Sequence, residues 1–499
     1  MSENRESQVA DWCEHCAMDL DHDACYRAVK LRDSRFDGRF FTAVKTTGIY
    51  CRPICPARTP QSRNVTFFPT AAAAQEAGFR PCLRCRPETA PDMPAWRGTS
   101  NTVARGLALI ELGALDSGNV DALAERLGVG ERQMRRLFRQ HLGASPIGVA
   151  QTRRILLAKQ LIHETHLPMT EIAFAAGFGS IRRFNETFLA LFGRPPGALR
   201  RLGGPDVAVA DQGEFSLLLR YKPPYDWPAM LGFLKQRAIP GIEWVAAGSY
   251  SRTIALGGVA GRISVQPAAG NALRASIRIS KLALLPNIIA RLRRQFDLAA
   301  DPLSIATHLA TDPVLAPLLK RRPGLRVPGA WDGFELAIRA VLGQQITVVA
   351  AIRLAGRLVA AYGAPLSDPD EHLTHVFPTA AALAGADLTA LGMPRSRAAT
   401  LNGVAGAALA NPELFGAHCE LDEAIARLRA IRGVGEWTAQ YIALRQLREP
   451  DAFPAADVGL MRALADETGR RPSAPELLLR AQAWRPWRAY AAQHLWSSA

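Results

Sequence analysis

Seven of the eight cysteines in this 499-residue chain lie within its first 85 residues, and no other feature restricts the fold as strongly. Three residues lie between Cys51 and Cys55, two between Cys82 and Cys85, and 26 between the pairs. Two close pairs joined by a loop of small-domain size suit four thiolates around a tetrahedral ion, and zinc is the ion that takes such a set. Spacing alone favours a structural zinc ribbon over a reactive centre. Cys13 and Cys16 form another close pair, with Cys25 nearby, but no fourth ligand is evident. No second zinc is therefore expected there, only three thiols of open reactivity. The N-terminal run MSENRESQVADW is polar and acidic, unlike a secretory signal, and no apolar run approaches 18 residues without charge. An intracellular, cytoplasmic chain is expected, where paired cysteines are more often metal ligands than disulfides.

The length calls for three or four domains. Sixty Lys and Arg against 45 acids leave a formal charge of +15, which favours a polyanionic partner, with nucleic acid the default. The pattern predicts a multidomain chain, mainly α with α+β parts. A zinc domain spans 11–90, with a hairpin-like aromatic run from Phe36 to Tyr50 and a proline-rich linker from Pro87 to Pro94. A basic helical domain follows over 98–202. Alternating segments such as SLLLRY and RASIRIS, beside a helix around Pro228 to Arg237, predict an α/β domain over 213–288. Helical periodicity returns over 289–499.

TTGIYCRPICPAR followed by GFRPCLRC resembles the N-terminal domain of Ada-type adaptive-response regulators, across nearly all of residues 23–88. The resemblance implies that Cys51, Cys55, Cys82 and Cys85 bind one zinc ion. It also implies that Cys51 irreversibly accepts a methyl group from a DNA methylphosphotriester. Zinc keeps its sulfurs deprotonated, and the thiolate is the nucleophile. A four-thiolate site carries a charge of about −2 and repels phosphates; a neutral phosphotriester can approach, and methylation weakens the repulsion to about −1. Thr47, Arg58 and Arg80 match the family around this site and are candidate phosphate contacts, against the plainer reading of solvated surface residues.

NVDALAERLGVGERQMRRLFRQHLGASP reads as helix, turn, helix, and PMTEIAFAAGFGSIRRFNETFLALFGRPP repeats the plan. With one helix between them (Gly148 to Ile162), the doubled pattern resembles the AraC-type DNA-binding module. Arg132, Arg135, Arg136, Arg182 and Arg183 are then the DNA-facing candidates, since helices of this kind enter the major groove. An arginine face alone would mean little.

LRAIRGVGEWTAQYIALR places Gly433 and Gly435 between two helical stretches, a hairpin that can present backbone N–H groups to phosphates without reading sequence. With AFPAADVGL, WRPWRAYAAQHLW, YKPPYDWPAMLGFL, RPGLRVPG, WDGFELAIRAVLGQQI and LGMPRSRA, the stretch from Tyr221 to Trp496 resembles AlkA-type 3-methyladenine DNA glycosylase II. The resemblance makes Asp457 the catalytic carboxylate, stabilising an oxocarbenium ion or orienting water; the plainer reading is a helix N-cap. Trp437 stands where strand-nicking relatives carry lysine, so no Schiff base is expected. Phe233, Trp437, Tyr441 and Trp496 match base-pocket positions, where electron-rich rings would attract a flipped cationic base, although Phe233 also suits the core.

Two positions depart from the family pattern. Val458 replaces an aromatic residue after the catalytic Asp, and Gln345 replaces an apolar wedge that enters the duplex. No P-C-H-R motif occurs, so a guanine-repair methyltransferase domain is not expected, and Cys419 is no substitute. The favoured reading is a bacterial, nucleoid-associated repair enzyme and regulator acting on alkylated and promoter DNA, with RNA polymerase a further candidate partner. The alternatives are a methylation-sensing transcription factor whose C-terminal half is only a DNA clamp, and a structural zinc protein that accepts no methyl group.

Overall fold

The computed structural model describes residues 20–91, 101–200, 214–416 and 420–498. Cys13, Cys16 and Cys419 lie outside them. The chain divides into two compact units, residues 1–220 with 281–290, and residues 221–280 with 291–499.

The first unit opens on a helix, His22–Leu31, whose N-terminal N–H groups are capped by the Asp21 carboxylate. A four-stranded sheet follows, in the order Val65–Phe68, Phe41–Val44, Ile49–Cys51, Arg80–Pro81. The aromatic run forms the expected hairpin, pairing Thr42 with Cys51 and Val44 with Ile49. Its inward side chains Phe41, Tyr50 and Phe68 pack on Phe79 and the alanines of the helix Ala71–Glu76. The last strand runs parallel to the hairpin, matching Tyr50 with Pro81. That register sets residue 51 beside residue 82.

Two helix-turn-helix pairs complete the unit. In the first, Val120–Arg126 is N-capped by Asn119 and turns through Gly128 at φ 69° into Glu131–Leu142. Met134, Phe138 and Leu142, at four-residue spacing, bury one face of that second helix. The second pair repeats this with Met169–Ala175, Gly177 at φ 90°, and Ile181–Phe192 buried through Phe184, Phe188 and Phe192. The bridging helix is longer than expected, Pro146–Glu164, because Ser145 caps it and Pro146 suits its first turn.

The proline-rich segment after the zinc domain is not a simple linker. Pro87–Thr89 forms a buried 3₁₀ turn whose Glu88 meets Lys159 of the bridging helix at 2.7 Å. Lys159 is fully buried and also donates to the Cys82 carbonyl at 2.9 Å. Arg86 pairs with Glu164 at 3.0 Å, and the Thr70 hydroxyl donates to the Leu142 carbonyl at 2.8 Å. The cysteine-bearing module is thus docked on the bridging helix by buried polar contacts.

In the second unit, four antiparallel strands (Glu243–Ala246, Ser249–Leu256, Val259–Ala268, Ala272–Ile279) form a meander. The helix Trp227–Arg237, capped by Asp226, precedes it. A helical core follows, including Gly333–Leu342, Val348–Tyr362 and Arg395–Ala410. Leu421–Arg429 and Glu436–Ile442 are the hairpin helices. Gly433 between them has φ 90°, and a β-carbon there would collide with the Thr400 side chain, so only glycine fits. Among the described residues, no helix is long and apolar enough to cross a membrane.

Candidate functional site

Asp457 sits at the N-cap of the helix Val458–Ala463, where its Oδ1 accepts the Leu460 N–H at 3.0 Å. This is the helix N-cap of the plainer reading, and it occupies one carboxylate oxygen only. Two indoles complete its coordination: Trp496 donates Nε1–H to Oδ1 at 2.9 Å, and Trp437 donates to Oδ2 at 2.7 Å. Gly459 leaves room for this, since a β-carbon there would lie 3.0 Å from Asp457 Oδ1 and 3.3 Å from the Trp496 ring. Hydrogen bonds to an ionised carboxylate fix its direction more firmly than neutral ones do.

The carboxylate lines a cavity of about 990 Å³ shared with Phe233, Trp437, Tyr441, Trp496 and Arg445. Trp437 and Tyr441, one helical turn apart, stack with centroids 5.2 Å apart. Phe233 is half-buried at this cavity rather than in the core, because Arg237 and Arg445 cover its ring at 4.1 and 4.4 Å. No lysine is among the lining residues.

Arg445 is the residue sequence reasoning missed. It is 4 % exposed, and its guanidinium also lies 4.9 Å from the Tyr441 ring centroid and 5.3 Å from that of Trp496. The rings expected to welcome a cationic base thus already face a cation. Burial works against ionising Tyr441, but Arg445 and Arg237 outweigh it and hold the phenol below its usual range. Burial and the nearby Arg237 charge lower Arg445 against the pull of Tyr441. Arg445 and Arg237 thus place positive charge against these rings, in a cavity whose wall also carries Asp457 and four other carboxylates.

Gln345 stands exposed at the turn between Gly333–Leu342 and Val348–Tyr362, with φ 58° in the left-handed region. Its neighbour Gln344 donates to the Gly433 carbonyl and to the Thr438 hydroxyl, each at 3.1 Å. This ties the candidate wedge to the hairpin, where Gly435 caps the second helix. Val458, beside Asp457, is 56 % exposed.

In the first unit, the Sγ atoms of Cys51, Cys55, Cys82 and Cys85 all lie within 4.8 Å of one another. The Arg52 N–H donates to Cys85 Sγ at 3.4 Å and the Arg84 N–H to Cys82 Sγ at 3.3 Å, as suits sulfurs carrying charge. Hydrogen bonding among the four pushes the Cys51 thiol up and pulls Cys82 down, so they cannot all ionise without a cation. The donor set and its geometry fit zinc. Cys51 and Cys55 are partly exposed, whereas Cys82 and Cys85 are buried. Buried Arg52, another residue the sequence did not single out, binds Asp37, Thr89 and the Cys85 carbonyl. Cys25 is buried and its thiol is pushed up to about 11 by burial and by Asp21, which argues against reactivity at a thiol whose role the sequence left open.

Thr47 and Arg58 are exposed and Arg80 is half-buried on the strand next to Cys82. Arg132, Arg136, Arg182 and Arg183 are exposed on the second helices of their pairs. Arg135 is held by Glu131 at 2.6 Å and Arg182 by Glu186 at 2.7 Å, so both are partly neutralised locally.

Family profiles match four stretches of the chain. They are the metal binding domain of Ada (24–88), a helix-turn-helix domain (123–202), the AlkA N-terminal domain (216–332) and the HhH-GPD superfamily of base excision DNA repair proteins (338–489). A probable bifunctional transcriptional activator/DNA repair enzyme AlkA of Mycobacterium tuberculosis is 43% identical over 480 residues, 96% of each chain. DNA-3-methyladenine glycosylase 2 of Escherichia coli is 36% identical over 282 residues, 56% of this chain and 95% of that one. The solved 3-methyladenine DNA glycosylase from Archaeoglobus fulgidus shares the fold at a TM-score of 0.50 and 23% identity, covering 56% of this chain and 96% of its own. The chain belongs to the family of bifunctional transcriptional activator/DNA repair enzymes of the AlkA type.

Proposed function

We propose that the second unit excises 3-methyladenine and related alkylated bases from double-stranded DNA, with Asp457 as the catalytic carboxylate. The observation that carries this is the carboxylate fixed by two indole N–H groups at the wall of a deep aromatic cavity. As the glycosidic bond breaks, positive charge grows on the sugar, and a pre-oriented anion stabilises it without reorganising. The hairpin around Gly433 and Gly435 holds the backbone, and Gln345 fills the gap left by the flipped base. With tryptophan at position 437 and no lysine in the cavity wall, the product is an abasic site and not a nicked strand. A mere DNA clamp needs the hairpin but has no use for the held carboxylate.

The first unit accepts a methyl group on Cys51, the sulfur at the end of its strand and partly open to solvent. Zinc held by Cys51, Cys55, Cys82 and Cys85 would keep the sulfurs as thiolates at neutral pH. The Cys51 sulfur attacks the methyl carbon of a phosphotriester, and the phosphodiester anion departs. Thr47, Arg58 and Arg80 are the phosphate contacts of this reading, and Arg132, Arg135, Arg136, Arg182 and Arg183 present the paired helices to promoter DNA. Activation of transcription makes RNA polymerase a further partner, in a bacterial cytoplasm.

The test is release of 3-methyladenine and 7-methylguanine from methylated duplex DNA by the intact chain and by Asp457→Asn. Release without nicking, lowered roughly 10²–10³-fold in the variant, is expected. A folded wild type that releases neither base overturns the enzymatic reading.

A further inference from the structure

The helix Val348–Tyr362 reads VVAAIRLAGRLVAAY, with two arginines and no acid. Leu354, Ala355, Leu358 and Val359 bury its inner face, while Arg353 and Arg357 are exposed. Like charges four residues apart weaken a helix, and no carboxylate on this one offsets them. Neither guanidinium has a hydrogen bond or an ion pair among the described residues. Both line a cleft of about 940 Å³, together with half-buried Arg397 and His375. Five carboxylates lie in the wall of the Asp457 cavity, whereas none lines this cleft. A solitary exposed arginine carries no weight in a chain this basic; three on one acid-free concavity do. Their place adds to this. Ile346 and Ile352 belong to the walls of both cavities, and Ile346 directly follows Gln345. Arg397 donates to the Gln344 carbonyl at 2.6 Å, on the other side of the same residue. The Gln345 apex thus stands between the aromatic cavity and the arginine cleft.

We infer that this cleft binds the phosphate backbone of the undamaged DNA strand opposite the lesion, with Arg353 and Arg357 as its phosphate contacts and Arg397 bracing the Gln345 turn against it. The inference rests on the glycosylase reading of the aromatic cavity and on Gln345 entering the duplex.

A residue that takes the place of a flipped base separates the two strands. The lesion strand turns its nucleotide towards Asp457, and the other strand passes on the far side of the wedge, where the cleft lies. Phosphates on that side are anions, and a guanidinium meets a phosphate with paired N–H donors. Such contacts carry no sequence information, as suits an enzyme that must act wherever damage falls. Holding the second strand while the hairpin around Gly433 holds the first keeps the gap open and opposes return of the base to the stack.

Methylphosphonate linkages, which keep the backbone but remove its charge, test this. Duplexes carrying 7-methylguanine and a single such linkage, moved position by position along either strand, are given to the full chain and to its Arg353→Gln/Arg357→Gln variant. The readout is the single-turnover excision rate at low enzyme concentration. In the wild type, at least one position on the opposite strand should lower that rate about threefold, the effect of losing one phosphate contact. The variant should excise from the fully charged duplex roughly 10-fold more slowly, having lost two contacts. Its opposite-strand positions should then have no further effect, while lesion-strand positions keep theirs. A merely structural role would slow every duplex alike and leave the positional pattern intact, and that result overturns the inference. So does an opposite strand that is insensitive throughout in the wild type, or a loss of sensitivity confined to the lesion strand. If the wild type excises from no duplex, the glycosylase reading itself fails; if it excises but the variant keeps the wild-type pattern, only the role of the cleft does.

Discussion

The cysteine centre and the Asp457 pocket each fix groups that can carry negative charge, by opposite means. The four sulfurs come from two short turns within 35 residues of chain, brought together by a single strand register. The pocket gathers Phe233, Trp437, Asp457 and Trp496 from a span of more than 260 residues. One is a local construction that a cation completes. The other is a long-range construction in which the protein supplies every donor itself. The first should fail all at once when its cation is withdrawn, and the second should fail by degrees as donors are removed.

The largest break in this comparison is metal removal. Zinc in small thiolate modules contributes on the order of 10 kcal/mol to folding, so a strong chelator or Cys82→Ala should abolish methyl acceptance and melt the first module. Excision should persist, and metal analysis alongside both assays checks it. Next in size is Lys159→Met, which leaves buried Glu88 with Arg86 alone, at 3.2 Å, and should cost about 3 kcal/mol. The effect should appear as a lower unfolding temperature of the first unit.

His494 offers a pH test on the other side. Burial first, and the Arg322 charge second, depress its pKa to about 4 from an ordinary value near 6.5. The fold therefore holds it neutral, and that stability is complete above pH 6.5 and drains away as pH falls towards 4. The total is about 3 kcal/mol. Urea unfolding of the second unit should show this slope, and His494→Gln should flatten it. Smallest is Trp496→Phe, which keeps a ring in the pocket but removes one N–H from Asp457. Loss of one charge-assisted hydrogen bond predicts roughly a 10-fold fall in kcat with little change in KM. A loss as complete as that of Asp457→Asn would mean the carboxylate depends on one indole and is not graded at all.

The two regions also differed in how far the sequence disclosed them. The cysteine centre was open to reading because its information is spacing, and the helix pairs because Gly128 and Gly177 occupy turns at positive φ. Asp457 was found by resemblance, and the indoles that hold it were named as pocket walls without their N–H bonds being foreseen. Lys159, Arg52 and Arg445 escaped notice for a common reason. In a chain with sixty basic residues, a cation on a helix or just past a strand reads as solvated surface. Whether it is buried depends on what another segment, distant in sequence, lays across it. The proline-rich stretch after residue 86 misled in the same way, since proline signals a break in regular structure but not exposure.

The left-handed backbone at Gln345 has a consequence for how such a protein can change. Its side chain stands at an exposed apex between two helices and is secured through its neighbour Gln344, not through its own packing. The apex behaves as a holder with an exchangeable bit. Unbranched residues can succeed one another there without disturbing core or pocket, while β-branched residues are kept out by the backbone angle. On the proposed role of Gln345, the means of probing the duplex can thus drift while Asp457 and its donors stay in place.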